Sequence, residues 1–274
     1  MTAVVPTPRA QRILFCESRH MTYVDLCDEL YADWLGGTLN LSARVCAAFP
    51  NRVGSTTDYC PEPYLVFGDQ SDPLVILATN PGNGEPFQRR DAVDAPDSPL
   101  KRLRFADVAP RLGDFYATTS RISMTARNRV HSMRDVARRL GKTGVLQVQL
   151  LPFHSDRLDK SWLEALFKEP LLRDYLDALK AHLDRFDTVC AMANVFLPAA
   201  KDKPLVRAFG SALGVDPAGW ETVPFKHKDD RPTIGVLVAR RSGRIRTVWC
   251  SSAYNQPPGT DLRDRFVAAL TLVR

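Results

Sequence analysis

The spacing of apolar positions changes several times along the chain. Tyr23, Leu26, Cys27, Leu30, Tyr31 and Trp34 recur at helical spacing, and Gly36-Gly37 closes that pattern. The stretch from Asn51 to Pro63 is rich in Gly, Ser, Thr, Asp and Pro and reads as a loop. Two short apolar runs follow, Tyr64–Phe67 and Leu74–Thr79, both with the length and composition of strands. The second breaks off at Asn80-Pro81-Gly82-Asn83-Gly84, and Glu85 to Lys101 is polar, with several Pro and Asp residues. That stretch reads as a long loop, a feature that in compact domains carries function or moves. Ser132–Leu140 is helical in pattern and ends at Gly141. Val145–Leu151 is an apolar run with Gln147 and Gln149 embedded, and it stops at Pro152-Phe153-His154-Ser155. Beyond it, Trp162–Phe167, Leu171–Phe186 and Pro198–Leu213 have helical spacing, and Thr188–Ala193 reads as a buried strand. Thr233–Ala239 and Ile245–Ser251 read as strands joined by a turn at Ser242-Gly243, and a helix over Leu262–Leu272 follows the Pro257-Pro258-Gly259 break.

Strands alternating with helices predict an α/β fold. The expectation is a single three-layer domain over residues 21–274, preceded by a loose leader over 1–20. Its central sheet is mainly parallel, of about four strands flanked by helices: Leu74–Thr79, Val145–Leu151, Thr188–Ala193 and Ile245–Ser251. Thr233–Ala239 is expected as an antiparallel partner at one edge, because a short turn joins it to the last strand. Ligands of such sheets sit beyond the C-terminal ends of the strands. Those ends carry Asn80-Pro81-Gly82, Pro152-Phe153-His154, Asn194 and the segment from Ser252 to Gly259.

The 274 residues are 45% hydrophobic and 25% charged, which excludes collagen-like, coiled-coil and wholly disordered chains. Apolar runs such as Leu74–Ala78 fall far short of the roughly 20 residues that span a bilayer, and Met1 to Phe15 lacks a signal-peptide core. A cytoplasmic monomer with no membrane contact is the expectation. The six cysteines form no C-x-x-C pair and the five histidines are scattered, so no metal and no cofactor are expected. The net charge of +6 points mildly to a polyanionic partner. Arg121, Arg127, Arg129, Arg134, Arg138, Arg139 and Lys142 crowd one helical stretch, interrupted by Asp135, and Arg240, Arg241, Arg244 and Arg246 surround the Ser242-Gly243 turn. These groups either meet phosphates through the planar guanidinium fork or form a solvated helix face and a charged sheet edge. Arg127, Arg129, Arg138 and Arg139 are the candidates for nucleic-acid contact.

The strongest local signal is Thr79-Asn80-Pro81-Gly82-Asn83-Gly84. Pro81 fixes its own φ and lacks an N–H, and Gly82 and Gly84 permit positive φ and close approach of a ligand. A strand that runs into such a turn presents Asn80 at the sheet end, where its amide can hold a water. The segment is neither a Walker loop nor a dinucleotide fingerprint. His154, with Ser155 and Asp156 at another strand end, is either an acid–base group or part of an ordinary helix start. No G-x-S-x-G elbow supports a Ser-His-Asp triad.

Val75-Ile76-Leu77-Ala78-Thr79-Asn80-Pro81-Gly82 resembles the first motif of the uracil-DNA glycosylase superfamily, closest to the branches that read G-[IM]-N-P-G, with Ala78 in place of the leading Gly. In order along the chain, Val145 to Pro152 resembles the family strand that bears a base-recognising amide, with Gln149 where that family usually has Asn. The segment from Ser251 to Gly259 occupies the place of the family's His-Pro-Ser loop but lacks that sequence. The resemblance implies hydrolysis of the N-glycosidic bond of a damaged or deaminated base, with DNA as the nucleic-acid partner. Asn80 would position the water, and Tyr254, Asn255 or Gln256 would support the leaving base. Pro81, Gly82 and His154 would line the substrate site, Gln149 would read the base edge, and Phe87 would stack on it, with Phe115 and Tyr116 as rivals for the stacking role. Two other expectations stand beside this one: a non-catalytic nucleic-acid or nucleotide-binding module of the same fold, and a protein-interaction domain with a vestigial pocket.

Overall fold

The computed structural model describes residues 21–82, 84–118, 124–192, 203–215, 221–225, 234–241, 244–251, 267–268 and 271. The leader at 1–20, Asn194, the Ser242-Gly243 turn, the segment from Ser252 to Gly259 and most of the helix expected over Leu262–Leu272 lie outside the described residues.

The first helix, α1 (Tyr23–Leu35), buries Tyr23, Leu26, Cys27, Leu30, Tyr31 and Trp34, the stripe read from the sequence. It is capped by Thr22, whose hydroxyl accepts from the Asp25 N–H, and it stops at Gly36. A short helix, α2 (Ala43–Ala48), follows. The strands are β1 (Tyr64–Gly68), β2 (Pro73–Ala78), β3 (Gly144–Gln149), β4 (Thr188–Met192), β5 (Glu221–Phe225), β6 (Ile234–Arg241) and β7 (Arg244–Ser251). The helices between them are α3 (Phe105–Thr118), α4 (Met124–Arg139), α5 (Leu163–Leu166), α6 (Pro170–Leu183) and α7 (Lys203–Leu213).

The strands form one seven-stranded sheet in the order β1-β3-β2-β4-β7-β6-β5. The four expected core strands are neighbours and run parallel: β3 with β2, β2 with β4, and β4 with β7. β2 and β4 are almost continuously apolar because both faces of a parallel sheet are covered, whereas β3 holds Gln147 and Gln149 and β7 holds Arg246 and Thr247. The sheet as a whole departs from the expectation. Among the described residues it has seven strands rather than about four, and it is mixed, since β1, β6 and β5 each pair antiparallel. β6 is antiparallel to β7 as expected, yet it is not the edge, because β5 pairs on its outer side. β5 carries Glu221 and Pro224, a composition suited to an edge strand.

From β2 the chain crosses to β3 on one side, and from β4 it leaves toward β5 on the other. Right-handed crossovers in opposite directions put their connections on opposite faces, so the C-terminal ends of β2 and β4 border a topological switch point. Asn80 lies two residues past the end of β2.

Helix α3 was not read from the sequence, which has Pro110 and Gly113 within it. Gly113 is required by packing: a Cβ there would run into the Val66 carbonyl oxygen of the edge strand β1. Helix α4 begins at Met124, eight residues before the apolar stripe that marks it. The long loop expected over Glu85–Lys101 contains two 3-10 turns, Pro86–Gln88 and Arg90–Ala92.

Arg246 does not belong to the basic turn. Its side chain is 2% exposed. The guanidinium donates to the carbonyls of Leu183, Phe186, Asp187, Leu213 and Ile245 at 3.1–3.3 Å. It thereby satisfies carbonyls at and just beyond the C-termini of α6 and α7. Burial lowers its pKa, with Asp184 acting against that.

Candidate functional site

The site forms where the β2 and β3 ends continue side by side. Beyond the strands, Leu150 N donates to Ala78 O at 2.8 Å and Leu151 N to Thr79 O at 2.9 Å. The two motif segments then cross-link. Asn80 Nδ2 donates to Ser155 Oγ at 3.1 Å, Ser155 N donates to Gly82 O at 2.8 Å, and His154 Nδ1 lies 3.3 Å from the same carbonyl oxygen. Gly82 has φ +88°, the left-handed region that glycine enters without a Cβ clash, and Pro81 sets the approach. The structure therefore brings Asn80, Pro81, Gly82 and His154 together. The bond to Ser155 uses one N–H of the Asn80 amide and leaves its carbonyl oxygen as the acceptor.

Gln149 closes β3, in register with Ala78 of β2. Its backbone is held from both sides: Gln149 N donates to Pro63 O at 2.8 Å, and Tyr175 Oη donates to Gln149 O at 2.7 Å. Tyr23 of α1 touches the Tyr175 hydroxyl at 3.0 Å and donates to Pro63 O. The Gln149 side chain is fully buried, and neither its Oε1 nor its Nε2 has a hydrogen-bond partner among the described residues. Two unmet polar atoms in the interior cost about 1–3 kcal/mol each, so this amide is a latent donor–acceptor pair.

Behind the Asn80 turn lies a buried polar cluster that the sequence did not disclose. Gln88 Nε2 is 2.8 Å from Glu62 Oε2, 2.9 Å from Tyr116 Oη and 3.0 Å from His154 Nε2. Tyr116 Oη donates to Glu62 Oε2 at 3.1 Å. Glu62 and Gln88 are almost wholly buried. Burial pushes the Glu62 carboxyl up to about 8, against the hydrogen bonds from Tyr116 and Gln88 that favour the anion, so the acid is mostly neutral at pH 7. Burial, and then Glu62, raise Tyr116 well above the ordinary phenol range. Glu62 lies in Pro61-Glu62-Pro63, a segment that reads as loop; the two flanking prolines are the only hint that this carboxyl is held in an extended, structured chain.

Phe87 packs against Phe115 and Tyr116, with ring centroids at 4.6 and 6.0 Å, so the three rival stacking residues form one aromatic group. The Tyr59 ring lies where a Cβ on Gly84 would be, which accounts for that second glycine. Tyr254, Asn255 and Gln256 lie outside the described residues. Arg127 and Arg129 are on α4. Arg138 and Arg139, on the last turn of that helix, both pair with Asp135, Arg139 at 3.0 Å. Arg138 is 80% exposed and Arg139 37%, so these ion pairs are weak and solvated. No group of three or more His, Cys, Asp or Glu side chains able to hold a metal occurs among the described residues, and no helix among them is long and apolar enough to cross a membrane.

The chain matches no family model, no curated protein and no solved structure. The fold is α/β, a mixed sheet flanked by helices.

Proposed function

We propose that the protein is uracil-DNA-glycosylase-like: it binds DNA and hydrolyses the N-glycosidic bond of a damaged or deaminated base turned out of the strand. The observation that carries this reading is the pair of amides at the ends of adjacent parallel strands. Asn80 is held by one N–H with its oxygen left as an acceptor, and Gln149 is a buried amide whose two polar atoms find no partner among the described residues. A side-chain amide offers one donor beside one acceptor, the complement of a nucleobase edge. Asn80 cannot act as a strong base, so its part is to orient the water and to support positive charge on the sugar. The water oxygen bonds the sugar carbon, the base leaves with the electron pair of the broken bond, and the water's proton passes to the departing base or to solvent. Phe87 and its aromatic neighbours supply the apolar wall. Arg127, Arg129, Arg138 and Arg139 supply the phosphate contacts.

The decisive measurement is release of free base from oligonucleotides carrying uracil, hypoxanthine or alkylated bases, in single and double strands. Asn80→Ala should remove most turnover and leave affinity nearly intact, because binding is dominated by phosphate contacts. Gln149→Ala should change which base is accepted, since a site built to hydrogen-bond a base is left unpaired by the wrong one. The second reading, a non-catalytic nucleotide- or nucleic-acid-binding module, is favoured by the burial of Gln149 and His154, which withdraws both side chains from an extruded base and leaves the exposed arginines to make the contacts. Tight binding with no base released from any of these substrates would establish the second reading and end the first.

A further inference from the structure

His154 follows a strand end and invites an acid–base role, but the hydrogens around it argue otherwise. The Gln88 side chain has its orientation set by the backbone, because its Oε1 accepts the Glu85 N–H at 2.8 Å. An N–H cannot be met by an amide nitrogen, so Nε2 is the end that faces His154. That Nε2 carries hydrogens only and donates to His154 Nε2 at 3.0 Å. The imidazole Nε2 is therefore an acceptor, and the ring proton resides on Nδ1, 3.3 Å from Gly82 O. Gly82 O thus receives two donors, the Ser155 N–H and the His154 Nδ1–H. The Gln88 backbone carbonyl in turn accepts from Cys60 N at 2.8 Å, so the chain between Asn80 and Gln88 is fastened at both ends.

We propose that His154 is a positioning residue, held by Gln88 as the neutral Nδ1–H tautomer, which fixes the Gly82 carbonyl and through it the Asn80 turn. Its ring is buried and its Nε2 is occupied, so it neither donates nor accepts a proton during turnover. The geometry stands independently of the reaction; its consequence for base release rests on the reading of Asn80 as the holder of the water.

The test uses the different reach of two amide substitutes. The nitrogen of Asn falls near imidazole Nδ1, and the nitrogen of Gln falls near Nε2. His154→Asn should keep a donor on Gly82 O, and His154→Gln should lose it. Hydrogen exchange at the Ser155 amide should stay slow in His154→Asn and accelerate about tenfold or more in His154→Gln, as the turn opens locally. Base release should fall about 10–100-fold in His154→Gln, the effect of a misplaced group, and recover by at least about tenfold in His154→Asn. Imidazole nitrogen NMR on the wild-type chain at neutral pH should show Nδ1 protonated and Nε2 bare. Gln88→Glu, which turns the facing donor into an acceptor, should move the proton to Nε2; it keeps the proposal testable should a His154 variant fail to fold. A wild-type spectrum with Nε2 protonated, or exchange and release no better in His154→Asn than in His154→Gln, overturns the proposal. If the wild type releases no base, the proposed function fails alone, and the exchange and NMR measurements still decide the tautomer and the latch.

Discussion

Glu62 sits between two prolines, and its carboxyl is turned into the interior against Gln88 and Tyr116. Desolvation raises its pKa from 4.5 to about 8 on folding. A group whose pKa is raised in the folded state contributes stability that is fully present below the unfolded value and lost as pH climbs through the folded value. Glu62 should therefore cost the fold on the order of a few kcal/mol between pH ~4.5 and ~8. Glu62→Gln, which keeps the shape and cannot ionise, should remove that slope. Chemical denaturation of both chains at pH 5 and at pH 8.5 tests this. The variant's advantage must grow with pH, and an equal difference at the two values would show that Glu62 is not buried as an acid. Tyr116 reports the same cluster from its other side, since ionised Glu62 raises the phenol further.

At the scale of elements, α3 and β1 hold the site from behind. Tyr116, near the end of α3, reaches the Glu62 carboxyl, and Gly113, one turn earlier, lets the helix close on Val66. Gly113→Ala would put its Cβ into that carbonyl and force the helix outward. The expected cost is about 1–3 kcal/mol, the range for overfilling a tight contact, although alanine is the better helix former. A denaturation midpoint unchanged or raised by this substitution would contradict the packing described. This helix also shows why local pattern misled: Pro110 and Gly113 both weaken helix propensity, and tertiary contact with the sheet edge overrides them. β5 escaped notice for the opposite reason, since an edge strand of five residues with a proline and a glutamate carries almost no apolar signal.

For the whole molecule, a net charge of +6 matters only where the cations are free to meet phosphates. The buried Arg246 is spent on backbone carbonyls, whereas Arg138 and Arg139 are exposed and share one carboxylate. If the latter two contact nucleic acid, replacing both by Ala should reduce the slope of log affinity against log salt by about 0.9 per contact on duplex and about 0.7 on single strands. Asp135→Asn should raise affinity at low salt, because it removes the anion that competes with phosphate for both guanidinia. Titrations at several salt concentrations read both effects. A slope unchanged by the double substitution would remove this helix end from the interface.

Residues alone pointed to the four central strands, because strands covered on both faces are mostly apolar, with Gln147, Gln149 and Arg246 as buried exceptions. They also settled the Asn80-Pro81-Gly82 turn, because proline and glycine impose their backbone limits wherever they stand. The antiparallel pairing of β1 with β3, the outer strand β5, α3 and the Glu62–Gln88–Tyr116–His154 cluster were decided only by the tertiary structure. Glu62 and Gln88 are 26 residues apart, and Gln88 and His154 are 66 apart. No local pattern can mark such partners. A carboxyl, an amide, a phenol and an imidazole become a buried network only when packing expels water from all four and turns their polar atoms toward one another.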